Sequence, residues 1–127
     1  MEDLKEQIIS FETAKLVKSK KFSVPTRFCY RNKELVSGGW HLYNSYKDEI
    51  GAFSQSLIQR WLREEYNISI EIFTRPEWFL NKKCFRYKFL IIKGTKKYEF
   101  EDEFSAALSY EEALEMGLKE GIKLIKN

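Results

Sequence analysis

Residues 54–74 read Ser54-Gln55-Ser56-Leu57-Ile58-Gln59-Arg60-Trp61-Leu62-Arg63-Glu64-Glu65-Tyr66-Asn67-Ile68-Ser69-Ile70-Glu71-Ile72-Phe73-Thr74. Leu57, Ile58, Trp61, Leu62 and Tyr66 fall on one face of a helix, with Gln59, Arg60, Arg63 and Glu64 on the other. Ser54 or Ser56 can cap its start, and Asn67 suits a left-handed stop. Ile68 to Thr74 then alternates β-branched and polar residues, which predicts a strand. A helix running directly into a strand, with no internal repeat around it, points to an α+β domain.

Working towards the C-terminus, a loop is expected around Arg75-Pro76-Glu77, then a long apolar strand from Phe85 to Lys93. Lys93-Gly94-Thr95-Lys96 fits a tight Gly-x hairpin turn. The return strand, Tyr98-Glu99-Phe100-Glu101, alternates aromatic with acid, so one face is buried and one is wet. Ser109-Tyr110-Glu111-Glu112 is a capping box for a last helix, with Leu114, Leu118, Ile122 and Ile125 as its core stripe. Ala113, Gly117 and Gly121 lie beside that stripe. Each helical glycine costs about 1 kcal/mol relative to alanine, so the helix is expected to approach the sheet closely.

Working towards the N-terminus, the first twenty residues are helical in character. Asp3 with Glu6 has capping-box spacing, and Ser10 can cap a second start, with Ile9 and Ala14 as a hydrophobic staple. Two short helices and one kinked helix fit equally well. Lys15, Lys18, Lys20 and Lys21 gather where a helix C-terminus favours cations, and Pro25 forces an exit. Thr26 to Arg31 alternates as a strand, Asn32-Lys33 can turn it, and Leu35-Val36 begins a return. Gly38-Gly39 marks a break or bulge, after which Trp40-His41-Leu42-Tyr43 continues the extended chain. The expected fold class is α+β, a single domain over residues 1–127, with an antiparallel sheet of roughly four to five strands against about three helices.

The composition supports one core: 127 residues, 43% hydrophobic and 16% aromatic, with a net charge of +3. So mild an excess of cations permits an acidic partner without pointing to nucleic acid. No apolar run approaches the roughly 18 residues of a membrane span. Met1 to Glu6 is mixed in charge and unlike a secretory signal. Cys29 and Cys84 are too few for a disulfide framework. The expected location is the cytoplasm of whatever cell makes the chain.

Reactive constellations are few. His41 is the only histidine, which removes a multi-histidine metal site and leaves a lone candidate base. Glu99, Glu101, Asp102 and Glu103 read as a solvated strand face. Gly38-Gly39 lacks the pattern of a phosphate-binding loop. No cofactor and no metal are expected.

The basic and aromatic stretch is the sharpest feature. Lys82, Lys83, Arg86, Lys88, Lys93, Lys96 and Lys97 occur with no acid among them, interleaved with Phe85, Tyr87 and Phe89. On a strand the alternation sends rings to one face and cations to the other, whereas a nucleic-acid platform wants both on one exposed face or its rim. The outward cations are free to hold an acidic partner or to pair with Glu99, Glu101 and Glu103 across the hairpin. Arg60 and Arg63 add charge on the exposed helix face, where Arg60 with Glu64 has ion-pair spacing. Trp78-Phe79, in a short loop, either plug the core edge or expose a protein-binding patch.

Three segments carry a resemblance. Ser56 to Ile68, Tyr110 to Leu118 followed by Leu124-Ile125, and Ile9 to Leu16 resemble, in order, the central, C-terminal and N-terminal motifs of a family of small proteins. That family occurs in gut Bacteroidales and in their phages and prophages. The match spans nearly the whole chain. It departs at Phe53-Ser54, where the family often has Pro-Thr, and near residues 75–84, where the loop is variable. The resemblance implies a phage- or mobile-element-linked origin and carries over no activity and no site residues. The functional expectation is a non-enzymatic binding protein with a protein partner and no membrane association. The alternative is a nucleic-acid binder using Lys82, Lys83, Arg86, Lys88, Lys96 and Lys97, and a third reading makes His41 a base. The long strand pair leaves an edge that a second copy can complete.

Overall fold

Ser10 starts the first helix, α1 (Phe11–Ser19): its hydroxyl accepts the Thr13 amide, and the flanking Ile9 and Ala14 are both fully buried. The structure, a computed structural model, describes residues 7–79, 82–99 and 109–126, with side chains for all of these but 75–79, 82–85 and 99. The Asp3–Glu6 spacing and the acids Glu101, Asp102 and Glu103 lie outside the described residues.

After α1 come β1 (Thr26–Arg31) and β2 (Glu34–His41), joined by Asn32 and Lys33 at φ 51° and 67°. Two successive positive φ values make the two-residue turn that matches strand twist. The register runs Arg31↔Glu34 to Phe28↔Ser37 and then jumps to Thr26↔His41. Gly38, Gly39 and Trp40 therefore form the irregular part of β2, as the glycine pair suggests. The extended chain ends at His41, and Tyr43–Ser45 is a short 3-10 turn. β3 (Ile50–Ala52) pairs with the far side of β1, giving the order β2-β1-β3. Chain entry is strapped alongside: the Ile9 amide donates to the Phe53 carbonyl at 3.0 Å and the Gln55 amide to the Gln7 carbonyl at 2.8 Å.

α2 (Gln55–Tyr66) begins at Ser54, whose hydroxyl accepts the Leu57 amide, and stops at Asn67 in the left-handed region. β4 (Ile68–Phe79), β5 (Lys82–Lys93) and β6 (Lys96–Glu99) form the second antiparallel sheet, with Gly94 at φ 61° in the β5–β6 turn. α3 (Tyr110–Lys123) opens at Ser109, whose hydroxyl accepts the Glu112 amide. One core gathers Val17, Phe53, Ile58 and Leu62, then Ile68, Ile70, Phe89 and Ile91, then Leu114, Leu118 and Ile122. The close approach expected of α3 is present: a β-carbon at Gly117 would lie 2.6 Å from Ile70 Cγ2.

Two expectations are corrected. Among the described residues six strands make two three-stranded sheets, not one sheet of four to five, because β3 takes the free side of β1 and the chain then leaves through α2. The expected loop at Arg75-Pro76-Glu77 is part of β4, with Pro76 opposite Phe85 and Trp78 opposite Lys83. β4 is an edge strand, where a residue without an N–H is tolerated. Among the described residues no helix is long and apolar enough to cross a membrane.

Candidate functional site

The basic residues singled out in the sequence do not form one patch. Lys82 and Lys83 open β5 while Lys96 and Lys97 sit beyond its other end. Twelve residues at about 3.3 Å each separate those ends by about 35 Å. Between them Arg86 is half-buried, Lys88 is only 5% exposed, and Lys96 and Lys97 are exposed. Phe89, next in line, is buried, in keeping with rings turned inward. Lys93 donates to the Leu124 carbonyl at the end of α3, a helix-capping use of its charge. Arg60 faces solvent and pairs with Glu64 at 3.7 Å, both well exposed, and Arg63 is exposed one turn on. Trp78, Phe79, Lys82 and Lys83 are placed by backbone only, Trp78 and Phe79 in β4 and the lysines opposite them in β5.

Exposed apolar bulk concentrates elsewhere. Of six large apolar side chains exposed among the described residues, four (Leu35, Trp40, Leu42 and Tyr46) lie within residues 35–46. Trp40 is 71% exposed. β2, which carries Leu35 and Trp40, is an edge of its sheet and is exposed along all its length except Val36. Trp40 and Tyr46 line one recess, whereas Leu35 lines a second groove; exposed aromatic groups that share a surface in this way are the usual mark of an interaction site.

The segment is held in shape by its neighbours. The Lys18 ammonium donates to the carbonyls of Tyr46, Lys47 and Glu49, anchoring that loop to α1. The Asn44 amide donates to the Phe22 carbonyl at 2.7 Å, and its oxygen accepts the Gly51 amide at 2.6 Å. The Tyr43 hydroxyl donates to the Gly39 carbonyl at 3.0 Å. Three rings meet at the surface: His41 stacks on Tyr46 at 5.0 Å and 25°, and meets Tyr43 edge-on at 5.1 Å. With Trp40, Gly39 and the ion pair of Arg31 and Glu49 they line a recess of about 410 Å³. Arg31 places Nε and Nη2 on one Glu49 oxygen, at 3.1 and 2.7 Å, and Glu49 in turn raises the Arg31 pKa. Beneath lies Cys29, 1% exposed, whose thiol pKa is pushed up by burial.

His41 thus sits among rings. The recess lining contains no serine, threonine or cysteine for it to activate. No group of three or more potential metal ligands occurs among the described residues.

A second polar constellation was not anticipated from the sequence. The Glu115 carboxylate accepts from the Ser10 amide at 2.9 Å, the Ser10 hydroxyl at 2.8 Å, the Thr13 hydroxyl and the Gln55 amide at 3.0 Å. Thr13 is fully buried and Gln55 only 4% exposed. Oε2 takes three of these bonds and Oε1 one, and the donors come from α1, its cap and α2. The arrangement is a clasp joining three helices. It forms one wall of a groove of about 730 Å³ that also takes in Glu111, Glu112 and Leu35. Burial, and then the Glu115 charge, raise the pKa of nearby Tyr30. A signal for the clasp existed in Thr13, a polar residue on the buried Ile9–Val17 stripe of α1.

Compared with protein-family models, with curated proteins and with solved structures, the chain finds no match.

Proposed function

We propose that this chain is a non-enzymatic binding protein whose partner is another protein, and that it engages that partner through residues 35–46. The observation that carries the reading is the concentration of exposed Leu35, Trp40, Leu42 and Tyr46 on one tethered segment. Trp and Tyr supply most hot-spot energy in protein interfaces, and rims of mixed charge surround them. Here Arg31, Lys33, Glu34, Lys47 and Asp48 provide such a rim, all of them exposed. Lys18 and Asn44 hold the loop before any partner arrives, which lowers the ordering cost of association. A phage- or mobile-element-linked role, acting on a host or phage component, fits the resemblance described above.

The nucleic-acid reading draws on cations that β5 spreads over its length, with Lys88 buried among them. Co-purification from the native host, with nuclease treatment and quantitative mass spectrometry, separates the two. A protein enriched by the wild-type chain is expected to fall at least about tenfold with Trp40→Ala and with Tyr46→Ala, regardless of nuclease. Enrichment that nuclease abolishes, or that both variants retain, overturns the proposal.

A further inference from the structure

The recess beside Trp40 has an open floor at Gly39. Gly39 lines it, lies outside the left-handed region, and a β-carbon built there meets no atom within 4 Å. By contrast, Gly117 and Gly121 have packing reasons and Gly94 a conformational one. Gly39 belongs to the irregular stretch of β2, where glycine is common, and with no β-carbon it also leaves the backbone open to close approach by another group.

The charges around the recess restrict that group. Its walls are the rings of Trp40, His41, Tyr43 and Tyr46, and the faces of the tryptophan and tyrosine rings attract cations. Arg31, however, already supplies a guanidinium within the wall, so a second cation meets like charge. An anion meets Glu49 and the negative ring faces. Arg31 and Glu49 neutralise each other at 2.7 Å, so the complementary occupant is uncharged. Rings favour offset or edge-on aromatic neighbours.

We infer that the recess is the anchor pocket of the proposed interface, and that it takes an uncharged aromatic side chain of the partner protein, seated over Gly39. This rests on the protein-binding reading, but it is testable without the partner.

The probes are N-acetylphenylalaninamide, N-acetyltyrosinamide, N-acetylargininamide and N-acetylaspartamide, titrated into the full chain while amide shifts are followed by NMR. The two aromatic probes are expected to shift the Gly39, Trp40 and Tyr46 amides with a dissociation constant on the order of 1 mM, the scale for a ligand of that size. The charged probes are expected to bind at least about tenfold more weakly. Gly39→Val fills the open floor and is expected to abolish the aromatic response, with amide shifts outside the recess reporting that the fold is intact. Gly39→Ala, with one added methyl group, serves should the valine variant unfold, and is expected to weaken binding. Aromatic probes that leave these amides unmoved, or an arginine probe that binds equally well, overturn the inference. If Trp40-dependent co-purification persists in that case, the binding reading stands and only the anchor assignment falls.

Discussion

Replacing Glu115 with alanine is expected to lower the stability of the fold by about 3 kcal/mol or more, the largest loss of any single polar substitution considered. The substitution removes one carboxylate and strands four donors: the Ser10 amide and hydroxyl, the Thr13 hydroxyl and one Gln55 amide hydrogen bond. Hydrogen bonds to a charged group contribute about 1.5–3 kcal/mol each, and a buried donor left unpaired costs about 1–3 kcal/mol. Thr13 and Gln55 have almost no access to replacement water. Glu115→Gln separates charge from shape. Its oxygen in the Oε2 place keeps the Ser10 and Thr13 donors, which turns its NH2 against the Gln55 NH2, itself held as a donor to the Glu111 carbonyl, so one hydrogen bond is replaced by two opposed donors. A smaller loss, about 1–2 kcal/mol, is expected. Urea unfolding with an unchanged m-value reads both. Glu64→Ala is the surface control. It breaks the exposed pair with Arg60 and should change stability by no more than about 0.5 kcal/mol.

Gly117→Ala tests the packing of α3 on the second sheet, with two opposed contributions. Helix propensity favours alanine by about 1 kcal/mol. Against it, the new β-carbon would sit 2.6 Å from Ile70 Cγ2 and 3.3 Å from the Phe89 ring. Cγ2 is attached at the branch point of Ile70, so it cannot swing aside without leaving its rotamer. Overpacking of this kind costs about 1–3 kcal/mol, and with no flexible neighbour the upper end applies, leaving a net loss of about 2 kcal/mol. Gly121→Ala is a milder case. Its nearest contact, at 2.9 Å, is Ile70 Cδ1, the free end of that chain, so the change is expected to be near neutral. Ile70→Ala removes Cγ2. Combined with Gly117→Ala it should destabilise less than the sum of the single changes, with a coupling of about 1–2 kcal/mol. Thermal or urea unfolding of the four proteins closes the cycle.

Both helices that define the second layer were legible because their signals are local. Ser54 and Asn67 bound α2, Ser109 opens α3, and the spacing of Leu114, Leu118 and Ile122 names the buried face. The glycines of α3 were legible for the same reason: they cost propensity, and the cost implied a close neighbour. What escaped was non-local. β3 has three residues, too few to show an alternation, and its pairing with Phe28–Tyr30 is set by tertiary contact. Pro76 looks like a strand end, yet its place on an edge strand removes the objection.

The recess was illegible for a different reason. Trp40, Leu42 and Tyr46 have the composition of a core strand, but Trp40 lies on the edge strand β2, and Leu42 and Tyr46 flank the 3-10 turn that follows it. Gly38-Gly39 was read as a break or bulge, in keeping with the register shift of β2, but the open space above Gly39 is a property of the folded surface. Glu115 was hidden among the acids of α3. On a helical wheel it passes for a solvated residue, and only the arrival of Ser10, Thr13 and Gln55 makes it a clasp.

Where a partner touches the chain is the most direct test of the interface proposed at residues 35–46. Amide hydrogen exchange of the full chain, alone and with the co-purified partner, locates that contact. Protection is expected in residues 34–46, with α3 and the ends of β5 unchanged. Protection confined to residues 82–97, or to Glu111, Glu112 and their neighbours in α3, would contradict that placement.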